Sequence, residues 1–156
     1  MSRNLLAYLV AALLAFFSLF ISNWGNPVDP EAPTTAARPE SQSFTVSLAG
    51  VQALGLPTQS GVYSYLNSFG TVETRNYSGV RLEEVLEALG AKMYVLNSGS
   101  TVRVTSSDGA SAVYTYAMLL EYKTILAFDG SSLRAVVDGA EAAMWIKNVV
   151  TLTVNY

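Results

Sequence analysis

The side chains that could carry chemistry in this chain are few, and their kinds are restrictive. Cysteine and histidine are both absent from all 156 residues. Thiolate nucleophiles, disulfides, imidazole acid–base catalysis, zinc fingers and cysteine-ligated clusters are therefore excluded together. An acylated-cysteine lipid anchor is excluded with them. Ser106 and Ser107 have no imidazole to activate them, so a serine nucleophile has no base. Asp108, Asp129 and Asp138 each precede a glycine, and turn formation accounts for all three without a metal. Glu83, Glu84 and Glu87 read as the solvated face of a helix. Two cations stand out: Arg134 sits inside an apolar run, where pairing with an acid such as Asp138 or Glu141 competes with ligand contact. Lys147 lies among Trp145, Ile146 and Val149 and alternates onto the solvent side of an expected strand. Six tyrosines, Tyr63, Tyr65, Tyr77, Tyr114, Tyr116 and Tyr122, fall in expected strands and at their edges, which suits cross-strand packing or, if exposed, a recognition surface.

These residues need a scaffold, and beyond Ser43 the pattern is one of short alternating segments. Phe44, Val46 and Leu48 predict a first strand ending at Gly50. Val62–Leu66 predicts a second, with Tyr63 and Tyr65 on one face, and Thr71–Tyr77 extends the same sheet. Leu82, Val85, Leu86 and Leu89 stand at i, i+3, i+4 and i+7, with Glu83 and Glu84 in the first turn and Gly90 as a stop. That is a helix. Val102 and Val104, the Asp108-Gly109 turn and Ala112–Tyr116 predict a hairpin. Ala117–Tyr122 predicts one or two helical turns, Ile125–Phe128 and Leu133–Val137 two strands, and Met144–Val154 a closing strand. The reading is one β-rich α+β domain over residues 43–156, with one or two short helices and a single hydrophobic core.

In front of that domain stands an apolar run. No charged residue occurs between Arg3 and Asp29, and Leu5–Ile21 holds only Ser18 and the Tyr8 hydroxyl as polar groups. The run is about 25 Å long as a helix, and about 30 Å with its flanks, enough to span a hydrocarbon core. Residues 1–24 therefore read as a membrane anchor or a signal peptide, with membrane contact through residues 4–24. The missing small-x-small cleavage site favours the anchor. Arg3 and the amino terminus stay cytoplasmic under the positive-inside bias, giving a single-pass cell-membrane protein with an extracytoplasmic domain, secreted if the segment is cleaved. Residues 25–42 form a linker: Asn26–Gln42 holds four of the five prolines and reaches at most ~50 Å. The net charge is −3, with nine acidic and seven basic side chains from Ser43 onward, so a nucleic-acid partner is not expected.

Three stretches in order carry a family resemblance. YSGVRLEEVLEALG at 77–90, VRVTSSDGASAVYTYAML at 102–119 and LAFDGSSLRAVVDGAEAAMWIKNVVTLTV at 126–154 together resemble the molybdopterin-binding domain of the sulfite oxidase type. The family pattern is an aromatic-x-Gly-Val-x-Leu helix start, a Ser-x-Asp-Gly hairpin and a Leu-Arg-x-Val-Val strand before a basic segment and the last strand. The resemblance implies that the metal-ligand position falls at or beside Asn67, where the family places a cysteine. An amide is a poor substitute for a soft thiolate. It implies further that Lys147 matches one of two cations around the pterin phosphate, while Met144 occupies the other place. A cofactor-binding set of Asn67, Arg134 and Lys147 follows from the resemblance, with no catalytic residue and no protein metal ligand.

The expectation is a membrane-tethered, extracytoplasmic, non-catalytic module on a molybdopterin-oxidoreductase-type fold, binding a protein or small-molecule partner and holding no cofactor. A molybdopterin-dependent oxidoreductase that holds its cofactor without a cysteine, and a structural assembly subunit, are the alternatives. A pocket near Asn67 and Lys147 filled by Met144, Trp145 and tyrosines favours the non-catalytic reading.

Overall fold

A computed structural model describes residues 41–156. The expected anchor and most of the linker lie outside the described residues; within them, no helix is long and apolar enough to cross a membrane. The domain is β-rich α+β, with two sheets and three short helices.

The first sheet has the order β1-β9-β4-β5, built from Ser41–Thr45, Val149–Asn155, Thr101–Ser106 and Ser111–Thr115, with every pairing antiparallel. The second has the order β7-β6-β3-β2-β8, from Ser132–Val137, Thr124–Asp129, Val72–Arg81, Gln59–Leu66 and the two-residue Ala140–Glu141. Only β2 and β8 pair in parallel. Both sheets turn one face into a common core. Val102, Val104, Tyr114, Leu152 and Val154 come from the first sheet and Val80, Leu126, Leu133, Ala135 and Val137 from the second. Helices α1 (Leu48–Ala53), α2 (Leu82–Ala88) and α3 (Tyr116–Glu121) add Val51, Leu82, Val85, Leu86 and Leu119.

The opposite face of the second sheet holds a smaller cluster of Tyr63, Ile125, Ala127, Val136 and Trp145, flanked by Tyr65, Tyr77 and Met144. Strand alternation accounts for the division: in β7, Leu133, Ala135 and Val137 enter the main core, while Arg134 and Val136 face the other way. Where β3 pairs with β6 the backbones come so close that a Cβ on Gly79 would lie 2.2 Å from the Leu126 carbonyl oxygen. Only glycine fits there.

Several expectations change. Leu48–Gly50 is helix rather than strand end, because Ser47 caps it: its Oγ accepts from the Gly50 N–H at 3.1 Å, and the Leu48/Val51 spacing buries Val51. The first strand begins at Ser41, inside the expected linker, because Gln42 is tied to the Tyr156 hydroxyl and to the Lys92 N–H. The expected closing strand starts only at Val149; before it come a 3-10 turn at Ala142–Met144 and an irregular stretch carrying Lys147.

Candidate functional site

The β2–β3 hairpin sets Tyr63 opposite Arg75, Tyr65 opposite Glu73 and Gly61 opposite Tyr77. All six belong to the face that carries the smaller cluster. On the neighbouring β6–β7 hairpin, Arg134 lies opposite Ala127, which in turn lies opposite Gly79. These short neighbours leave the guanidinium room to reach sideways. Its Nε donates to Asp129 Oδ2 at 2.7 Å, its Nη2 lies 2.6 Å from the same oxygen, and its Cζ stands 5.7 Å from the centre of the Tyr77 ring. The Arg134 side chain is only 13% exposed.

Over this face the chain lays Trp145. Its ring is 4.6 Å from Tyr65, tilted by 53°, and 5.6 Å from Tyr77, edge-on at 74°. Two hydrogen bonds fix its position: the indole N–H donates to the Val137 carbonyl at 2.8 Å, and the preceding Met144 carbonyl accepts from the buried Tyr114 hydroxyl at 2.6 Å. Burial pushes the Tyr114 phenol well above its ordinary pKa, so it remains a donor. The Ile146 carbonyl accepts from the Ala135 N–H at 2.8 Å, which fastens the irregular stretch to β7.

The result is a cleft of about 190 Å³ lined by Tyr65, Arg75, Tyr77, Arg134, Ala142, Trp145 and Lys147. Three cations stand around an aromatic floor. Arg134 is held by Asp129, and Arg75 lies 3.8 Å from Glu73 and 5.9 Å from the centre of the Tyr65 ring. Lys147 makes no ion pair among the described residues. The Tyr65 hydroxyl donates to Glu73, and this bond lifts the phenol pKa and holds the carboxyl below its usual range.

No match for this chain is found among protein families, curated proteins or solved structures. The site therefore rests on its own geometry. Of the three expected residues, Arg134 and Lys147 meet in the cleft. Asn67 lines an adjoining hollow of about 440 Å³ that shares only Ala142 with it. Arg134 pairs with Asp129, diagonal to it across the β6–β7 hairpin, and not with Asp138 or Glu141. Asp138 is occupied elsewhere, accepting from the Ser64 N–H at 2.8 Å and the Ser64 hydroxyl at 2.9 Å. Sequence reasoning passed over Arg75 and Glu73, while Trp145, expected to fill a pocket near Lys147, lines the cleft. Alternation through Glu73, Arg75 and Tyr77 was the available signal, since it places all three on the partner face of Tyr63 and Tyr65.

No group of three or more acidic side chains is placed to hold a metal among the described residues. The Asn67 amide is also committed. Its Oδ1 accepts from the N–H groups of Phe69 and Thr71 at 3.0 and 2.9 Å, and its Nδ2 donates to Glu73 at 2.9 Å. The cleft suits a flat ring carrying negative charge. The donor set does not suit a thiolate-held metal.

Proposed function

We propose that this protein is a membrane-tethered, extracytoplasmic, non-catalytic binding module that takes a small, planar, anionic ligand in the Arg134–Lys147 cleft. One observation carries the reading: Arg75, Arg134 and Lys147 converge on a floor of Tyr65, Tyr77 and Trp145. Guanidinium and ammonium groups recognise phosphate or carboxylate through charge-assisted hydrogen bonds, and aromatic side chains make favourable contacts with a flat π-system. A chain without thiol or imidazole is poorly equipped to transform such a ligand, but holding one requires neither. The resemblance of residues 77–154 to the sulfite oxidase type agrees with this ligand class, since a pterin phosphate is itself a ring with an anionic arm. Asn67, spent on its own hairpin, adds nothing toward a metal at that position.

The test is a fluorescence titration of the full chain in detergent micelles. Guanosine monophosphate supplies ring and charge together; guanosine and inorganic phosphate supply them separately. Saturable quenching by the monophosphate, at least about tenfold tighter than by either part, supports the reading, as does weaker binding in Lys147→Met. Equal affinity for guanosine and its monophosphate, or no effect of Lys147→Met, overturns it.

A further inference from the structure

The β2–β3 hairpin ends in seven uncharged residues, Leu66 to Val72. At its tip Phe69 is 90% exposed, and Val72 and Leu66 beside it are 65% and 39% exposed. Large apolar side chains this open to water are unusual at one loop. The backbone beneath them pairs most of its donors locally. The Asn67 N–H donates to the Thr71 carbonyl and the Gly70 N–H to the Asn67 carbonyl, both at 3.0 Å. The Asn67 side-chain oxygen accepts from the N–H groups of Phe69 and Thr71. Four of the five backbone N–H groups from 67 to 71 are thus satisfied within the loop. Donors paired in this way lower the cost of moving the tip from water to a polar–apolar boundary.

We propose that the Phe69 tip inserts into the interfacial layer of the same bilayer that receives the N-terminal apolar segment. The inference is independent of the ligand cleft and rests on the reading of Leu5–Ile21 as an anchor. That reading supplies the occupant. Residues 25–40 join the anchor segment to Ser41, a reach of about 50 Å at about 3.1 Å per residue. The whole of β3, from Arg81 up to the tip, measures only about 30 Å. A domain on so short a leash stays within reach of the surface, and an aromatic ring on an uncharged, internally bonded loop is suited to the headgroup boundary. The contact would give the tethered domain a second foothold.

The absence of cysteine permits a clean test. A nitroxide is attached to the full-length chain at Phe69→Cys, or for comparison at Leu120→Cys. Leu120 is 65% exposed on α3, and α3 leads into β6 at the far end of β3 from the tip. Both variants are reconstituted into phosphatidylethanolamine–phosphatidylglycerol vesicles, and collisions with oxygen are compared with collisions with a water-soluble nickel chelate. The proposal expects an oxygen-to-nickel ratio several-fold higher at position 69 than at 120. Equal ratios in a chain that pellets with the vesicles overturn it at the tip. A chain that separates from the vesicles overturns it at the tether.

Discussion

The phenol of Tyr114, on the first sheet, donates its proton to the carbonyl of Met144, in the 3-10 turn that delivers Trp145 to the second sheet. The bond spans thirty residues, and the tyrosine that makes it is fully buried. Tyr114→Phe leaves that carbonyl without its partner and should lower unfolding stability by about 1–2 kcal/mol, measured by urea denaturation. The same variant should weaken binding in the cleft, because the turn that positions Trp145 loses its tie to the core. Burial raises the phenol pKa and so sets the sign of the alkaline dependence: the contribution is complete below the ordinary phenol value and is lost progressively from there as pH climbs through the higher folded-state value.

Gly79→Ala should be among the most damaging small substitutions. The new methyl would sit 2.2 Å from the Leu126 carbonyl oxygen and 2.6 Å from the Ala127 Cα, both backbone atoms of a paired strand. A loss of about 3 kcal/mol or more is expected. Gly70→Ala meets open space and carries only the penalty of its φ of +76°, about 1 kcal/mol. Thermal melts of the two variants side by side check the ordering.

Glu73 gives the hairpin an acid dependence. Hydrogen bonds from Tyr65 first, and from Asn67, hold its carboxyl below the usual range. A depressed folded-state pKa contributes stability that is present above the unfolded value and is lost as pH falls through the folded one. The difference in urea midpoint between the native chain and Glu73→Gln should therefore be visible at neutral pH and close as the solution is acidified below the ordinary carboxylate range.

Asp129 competes with any anionic ligand for Arg134. Asp129→Asn removes the competing charge and should tighten anion binding by about 1 kcal/mol, roughly fivefold. A titration with guanosine monophosphate reads the change, and weaker binding in this variant would show that Asp129 orients the guanidinium.

Local patterns with one dominant signal were legible in the sequence. Helix α2 declares itself through four apolar residues at helical spacing and Gly90, and it runs from Leu82 to Ala88. The Asp108-Gly109 hairpin and the shared face of Tyr63 and Tyr65 were equally readable, since each depends on near neighbours. Leu48 misled because a capping serine overrode an alternation only three residues deep. The stretch around Lys147 looks like strand because Trp, Ile and Val favour one. It is pulled out of any ladder by anchors from Tyr114, Ala135 and Val137, far away in the chain. Arg134 and Lys147 could be singled out as cations, but their meeting with Arg75 depends on the long-range antiparallel pairing of β3 with β6, which no local pattern in either strand announces.

Asn148 is the one non-glycine residue with a positive φ among those described, at 51°, and its carbonyl accepts from the Ser107 N–H at 3.0 Å. It stands between Lys147, at the rim of the cleft, and Val149, where β9 enters the middle of the other sheet. The lysine of the cleft and the strand flanked by both β1 and β4 are thus joined through one left-handed residue, a conformation that asparagine tolerates far better than a β-branched side chain.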